Sequence, residues 1–347
     1  MTVAGMVLCA GLGTRLRPLT ARLPKPAVPV AGVPLVRWSL GLLAGAGVRR
    51  VVVNTHHLPG AMAAAARAAA AEVGCTLAVS PEPIIAGTGG ALREARGLLR
   101  ETGADAVVVL NGDVLFDVDL AGALAAHAAS GALATMVLMA MPPGARYAAV
   151  ELDEGGRVRR LAGRFGPLGE GPVAGLTAWH FPGVHVVSRE LLALVPERPF
   201  ELDVNRDLYP TLMARGLVRG VVAAGYWNDL GAPDRYLAAN LDVAAGRVPL
   251  ARFGLEPPLA IDPTARVAPG ARVIDAVVGA GCEVPDGARV ERAVLWPGTR
   301  LSPGEAVVDA IAAWALRVAT TPGGPEAPRS PLAPGQPPPA GPALDRS

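Results

Sequence analysis

Apolar residues in the first half of the chain come in short unbroken runs rather than in alternation with polar ones. Gly5–Ala10, Val48–Asn54, Thr76–Ser80 and Ala106–Leu110 therefore read as strands buried on both faces, the pattern of a parallel sheet covered by helices. Between them, Pro34–Ala46 has helical apolar spacing, Ala61–Val73 is alanine-rich, and Thr88–Leu99 predicts a further helix. Strands alternating with helices of this length predict βαβ units and an α/β fold with a mixed, mostly parallel sheet.

After about residue 145 the rhythm loosens. Ala148–Asp153 and Arg157–Leu161 predict two strands joined by a hairpin at Glu154-Gly155-Gly156. Pro182–Val187 and Val218–Ala223 predict strands, whereas Glu190–Leu194, Asp207–Arg215 and Pro233–Ala245 predict helices. Tyr226–Gly231 reads as a turn. Leu120 to Gly144 carries no charge and has the length of a membrane span. Its Gly122, His127, Ser130 and Gly131 argue instead for a helix over 120–129 and a buried strand over 132–141. No membrane association is expected.

Beyond Pro258 the pattern changes again. Ala265–Val273 is nearly repeated as Cys282–Val290, with a partial third copy at Pro297–Leu301. Aliphatic residues fall six apart at Ile261, Val267 and Val273, at Val278, Val284 and Val290, and at Leu295 and Leu301. That period predicts a short left-handed parallel β-helix of hexapeptide coils over 258–310. From 320 to 347 nine prolines and few aliphatics predict a disordered tail. Residues 1–248 would then form the main domain.

Composition narrows the function. Apolar residues make up 51% of the chain, enough for a large core. A net charge of +2 offers no basic stripe for nucleic acid. Cys9, Cys75 and Cys282 stand far apart, without a CxxC pair, and no basic segment precedes the apolar start, so a reduced, cytoplasmic protein is expected. Of 32 basic residues, 31 are arginine and only Lys25 is lysine. Either one lysine survives by chance, or its site needs a compact ammonium that a planar guanidinium does not imitate.

The loop Gly11-Leu12-Gly13-Thr14-Arg15 follows a strand, the usual way of presenting backbone N–H groups to phosphate. It lacks the GK[ST] ending of a P-loop, and Leu16 occupies the last glycine position of GxGxxG. The longer pattern is more specific. Leu8-x-Ala10-Gly11-x-Gly13-Thr14-Arg15-Leu16-x-Pro18-Leu19-Thr20 is followed by Pro24-Lys25-Pro26, Val51–Pro59, Gly87–Leu92, Asn111-Gly112-Asp113 and Tyr226-Trp227-x-Asp229-x-Gly231. Over about residues 3–245 the chain resembles the sugar-1-phosphate nucleotidyltransferases, or nucleotide-sugar pyrophosphorylases, with the mannose-1-phosphate guanylyltransferase branch the nearest.

The resemblance implies a Rossmann-like fold and a reaction between a nucleoside triphosphate and a sugar 1-phosphate, with Mg²⁺ as cofactor. By resemblance Leu8, Ala10, Gly11, Gly13, Thr14, Glu82 and Gly87 surround the nucleotide, the last two near the base. Arg15 binds the triphosphate, and Lys25, in a loop facing the cleft, contacts the reacting phosphates. Asp113, which follows a buried strand, shares the metal with Asp229 and completes a catalytic group with Arg15 and Lys25. Asn111 and Gly183 fall in the sugar-phosphate region. One departure stands out: relatives place Glu-Lys-Pro after the hairpin, but here the stretch is Ala162–Pro167, leaving Arg160 or Arg164 to replace the lysine. GTP with mannose 1-phosphate is the expected pair; glucose, heptose or N-acetylmuramate phosphates with other nucleotides, and a non-catalytic regulatory subunit, are the alternatives. The repeats would mediate self-association. Their use as an acyltransferase is disfavoured because every histidine lies at or before His185.

Overall fold

The valine-rich runs pair into one seven-stranded sheet. Its spatial order is Val218–Val222, Ala134–Leu138, Val184–Ser188, Ala106–Asn111, Val3–Leu8, Arg50–Thr55 and Thr76–Pro81. Every neighbouring pair is parallel except the two made by Val184–Ser188, which runs against both neighbours. The sheet is thus mixed and mostly parallel, as expected. The computed structural model describes residues 1–320 apart from Pro143, Ala145, Arg146, Pro172, Pro258 and Leu259. The tail expected to be disordered lies outside the described residues from 321 onward.

Strand order reverses between Val3–Leu8 and Ala106–Asn111. The chain winds outward from the first strand through the next two, then crosses back to its other side. Ligands of open α/β sheets bind outside the carboxyl ends of strands at such a switch point. Helices Leu35–Gly45 and Pro59–Glu72 cover one face, whose core includes Leu43, Val51, Met62 and Val108. On the other face, helix Gly87–Glu94 packs with Met6, Val52 and Val109.

Two segments differ from the expectation. The helix predicted over Thr88–Leu99 breaks at buried Ala95, two residues before Gly97, into Gly87–Glu94 and Arg96–Glu101. The hairpin Val150–Leu152 and Val158–Leu161 gains a third strand, Thr177–Trp179, forming a separate small sheet. No described helix is long and apolar enough to cross a membrane; Leu120–Ser130 is a helix and Ala134–Leu138 a buried strand.

The C-terminal repeats stack as parallel strands at a constant offset of 17 residues. Arg272 lies beside Arg289, which lies beside Ala306. The sixfold aliphatic spacing thereby becomes columns: Ile261 pairs with Val278 and Val278 with Leu295, while Val273 pairs with Val290 and Val290 with Val307. Val278, Val290 and Val307 are nearly inaccessible, whereas Ile261 on the first coil is 40% exposed because nothing stacks before it. Asp275, Arg292 and Asp309 occupy one corner position on successive strands, each with positive φ. Such backbone costs roughly 1–2 kcal/mol per residue. The Arg292 guanidinium offsets part of this by gripping the Asp309 carboxylate. The stack runs past the predicted limit at 310, ending in Ala306–Ala313 and the antiparallel strand Leu316–Ala319.

These strands share a core with the main sheet. Val277, Val294 and Ile311 join the same apolar cluster as Leu35 and Val243. Helix Pro233–Ala244 lies between, and its buried Tyr236 accepts a hydrogen bond from Trp296 Nε1 at 2.8 Å while donating its own to the Pro29 carbonyl. Replacing Tyr236 with Phe leaves a buried donor and acceptor unpaired. We expect urea unfolding to show a loss of about 1–3 kcal/mol for Tyr236→Phe.

Candidate active site

The loop after Val3–Leu8 is held by small contacts that leave its backbone open. Leu16 and Leu19 anchor it in the core. Gly13 adopts φ 60°, and a Cβ there would lie 3.0 Å from the Lys25 Cβ. At Gly11 a Cβ would meet no protein atom within 4 Å. Its missing side chain therefore leaves space beside the loop rather than permitting a packing contact.

That space is a cavity of about 230 Å³, bordered by Leu8, Ala10, Gly11, Gly13, Lys25, Asn54, Glu82, Gly87, Asn111 and Asp113 among others. Thr14 and Arg15 lie outside its lining, on the short 3-10 turn Thr14–Leu16. Glu82 is buried with both carboxylate oxygens engaged, one by Asn54 Nδ2 at 2.7 Å and the other by the Ala86 N–H at 3.1 Å. Asn54 Oδ1 in turn accepts the Cys9 N–H at 2.7 Å. Glu82 thus ties the wall of the cavity to the glycine loop. His56 and His57 donate to the carbonyls of Glu82 and Thr20, fixing these loops.

Lys25 borders the cavity and is buried, at 5% exposure. Its ammonium donates to Asp113 Oδ2 at 3.0 Å and to the Asp229 carbonyl at 2.9 Å. Gly112 makes this possible. A Cβ there would stand 2.7 Å from Cys9 Sγ and 2.8 Å from the Leu8 carbonyl, so only glycine lets the strand end fold over its neighbour. The Asp113 side chain remains 45% exposed.

The Asp229 carboxylate takes two contacts of 2.8 Å from Arg235 Nη1 and the Gly231 N–H at 3.2 Å. Burial pushes this carboxyl upward, but Arg235, Gly231 and the Lys25 charge outweigh it and hold it below the usual range. Arg15 lies beside the same turn: a Cβ on Gly231 would be 2.9 Å from Arg15 Nη1 and 3.0 Å from Asp229 Oδ2. Four of the expected residues, Arg15, Lys25, Asp113 and Asp229, thus converge from segments far apart in sequence.

A second hollow of about 390 Å³ opens on the other side of Asp229, among Tyr147, His180, Trp227, Asn228 and Arg235. Asn111 and Gly183, expected in the sugar-phosphate region, are not among the residues lining this hollow; Asn111 borders the first cavity, donates its N–H to the Gly183 carbonyl at 2.9 Å, and would be struck at its amide, at 2.5 Å, by a Gly183 Cβ. Neither arginine proposed to replace the missing lysine reaches this hollow. Arg160 is buried and spent on Glu151 and the carbonyls of Gly169 and Gly171. Arg164 is exposed on the tight turn that Ala162 and Gly163 make with positive φ, stacked over Phe165 at 4.6 Å. The cation that does line the hollow is Arg235, which sequence reasoning passed over as a helix residue. Its one signal was an arginine just inside a helix start that directly follows Asp229 and Gly231.

Residues 4–246 match the family described as Nucleotidyl transferase. The mannose-1-phosphate guanylyltransferase of Mycobacterium tuberculosis is 33% identical over 302 residues, covering 86% of this chain and 81% of that protein. A mannose-1-phosphate guanyltransferase of Pichia angusta is 30% identical, covering 67% of this chain and 62% of that protein. Mannose-1-phosphate guanylyltransferase 1 of Arabidopsis thaliana is 26% identical over 89% of this chain and 85% of its own length.

Burial also sets the response to acid. It pushes the imidazoles of His180 and His185 down to about 4. An unfolded chain protonates histidine near pH 6.5, so these groups favour the folded state fully above that pH. The benefit is lost as pH falls from 6.5 towards 4. We expect unfolding free energy to drop over this window, on the order of 3 kcal/mol for His185 alone. Urea unfolding should show a shallower pH slope in His185→Phe.

Proposed function

We propose, for a chain that belongs to the nucleotidyl transferase family, that it joins GTP to mannose 1-phosphate and releases pyrophosphate. The observation that carries this reading is Lys25, whose ammonium links the Asp113 carboxylate to the Asp229 turn at the edge of the glycine-lined cavity. The names of the relatives support the choice of guanine and mannose.

In this reaction an oxygen of the sugar phosphate bonds to the α-phosphorus in line. The bond to the bridging oxygen of the β-phosphate breaks, and pyrophosphate leaves with the bonding pair. The attacking phosphate is largely dianionic at neutral pH, so no general base is required. Two polyanions must instead be brought together, and catalysis becomes positioning and charge neutralisation. The nucleotide occupies the cavity beside Gly11, and the sugar phosphate occupies the hollow of Tyr147 and Trp227. Lys25 sits between them as a compact point charge. Arg15, at the Asp229 turn, meets the departing pyrophosphate, and Arg235 supplies the sugar-phosphate cation that Arg160 and Arg164 do not.

Two hard carboxylates at one junction, with no group of three metal-ligating side chains among the described residues, suit an ion that takes its remaining ligands from phosphate and water. Asp113, half exposed, and Asp229 would hold Mg²⁺, which when bound neutralises charge on the triphosphate. Arg235 would then release the Asp229 carboxylate and turn towards the incoming phosphate.

A panel of nucleoside triphosphates against sugar 1-phosphates, read by pyrophosphate release, tests the reading. Turnover is expected with GTP and mannose 1-phosphate above every other pair; no release with any pair would overturn it. In Lys25→Arg we expect kcat to fall at least ~10²-fold, about 2.7 kcal/mol of transition-state stabilisation, because a broad guanidinium displaces one phosphate. Gly231→Ala should lower kcat/KM about 10-fold or more while leaving the melting temperature nearly unchanged. The atoms nearest its new Cβ are the ends of Arg15 and Asp229, and a misplacement of about 1 Å is enough.

A further inference from the structure

The second hollow contains a buried polar group that the protein itself leaves unpaired. His180 is 3% exposed, and neither ring nitrogen has a hydrogen-bond partner among the described residues. The other four histidines are each partnered: His56 and His57 by loop carbonyls, His127 by Thr135, and His185 by the Tyr209 hydroxyl. The His180 ring lies 4.2 Å from the Trp227 ring and 4.7 Å from that of Tyr147, and these two rings meet edge-on at 5.2 Å. All three line the 390 Å³ hollow with Asp229 and Arg235. His180 and Tyr147 also border an adjoining space of about 260 Å³ under the small sheet.

An imidazole carries one donor and one acceptor, and burying both unmet is costly. Folded proteins seldom keep such a group unless something else satisfies it. A fully apolar side chain of similar size would fill the same place among two aromatic rings without that cost. Both nitrogens are closed off in this structure, so a molecule in the hollow pairs with them once the imidazole turns towards it, and the chemistry of that molecule is set by the walls. Aromatic faces suit the C–H surface of a sugar ring, a guanidinium suits a phosphate, and a paired donor and acceptor suit a hydroxyl.

We infer that His180 is a specificity-determining residue which hydrogen-bonds one ring hydroxyl of the sugar phosphate. This rests on the proposed function, since it presupposes that a sugar 1-phosphate occupies the hollow. A site whose own buried groups need the substrate hydroxyl rejects an analogue lacking it far more strongly than an apolar site does. The inference thus assigns sugar choice to a residue outside the phosphate-binding machinery.

The test pairs His180→Phe with a series of monodeoxy sugar 1-phosphates. For His180→Phe without substrate we expect a melting temperature equal to or above that of the parent, because an unmet polar group is gone. The KM for GTP should stay within about twofold while the KM for the sugar phosphate rises about 10-fold or more. One deoxy analogue should lose at least ~10-fold in kcat/KM with the parent protein and match the full sugar with His180→Phe. His180→Gln, which keeps a donor and an acceptor, should recover part of that discrimination. An unchanged sugar KM and an unchanged analogue pattern in His180→Phe, with the parent active, would overturn the inference and leave the proposed function standing. Unfolding of both variants would make His180 structural and overturn it equally. Failure of the parent to use any sugar 1-phosphate would instead overturn the proposed function, and this inference with it.

Discussion

A buried ammonium organises this protein. Removing a charge from water costs several kcal/mol, so Lys25 is tolerable only where good partners surround it. Those partners are the Asp113 carboxylate and the Asp229 carbonyl, from segments 88 and 204 residues away. Lys25 in effect ties the loop after the first strand, the end of the fourth strand in sequence and a late turn into one junction. The glycine-lined cavity and the aromatic hollow meet there. Any movement of one segment strains the others.

The tightness of that junction depends on places where a side chain is forbidden. Gly112 and Gly183 allow strand ends and the Asn111 amide to approach, and Gly231 leaves room for Arg15 beside Asp229. Gly11 differs in kind, because no protein atom lies near its absent Cβ. Packing accounts for the first three, whereas Gly11 faces the space that the nucleotide would fill. A single residue type thus does two jobs at one site, and only coordinates separate them.

The C-terminal stack supports this junction from behind. Trp296 reaches Tyr236, and Tyr236 reaches the Pro29 carbonyl four residues after Lys25. Trp314, at the last corner of the stack, lies under the Arg22 guanidinium at 5.9 Å, three residues before Lys25. The loop carrying the only lysine is therefore held on both sides by coil residues. With Val277, Val294 and Ile311 in the main core, the repeats act as a buttress for the Lys25 loop.

Sequence alone determined the alternation of strands and helices, because continuous valine runs leave few options but a covered parallel sheet. It determined the column-forming aliphatics of the repeats too, since a fixed period directly reflects stacking. It also singled out Lys25, through the rarity of lysine in an arginine-rich chain. Local pattern did not reveal which polar groups are already satisfied. Arg160 and Arg164 looked available on paper, yet one is consumed by Glu151 and the other sits on an exposed turn. Glu82, expected near the base, lines the cavity with both carboxylate oxygens held by Asn54 and Ala86, a pairing no local pattern showed. Arg235 and His180 carried no motif, and their importance comes from what stands beside them after folding. Hydrogen-bond partners across a fold are set by long-range packing, so the tertiary structure alone decided which charges are spent and which histidine is left unpaired.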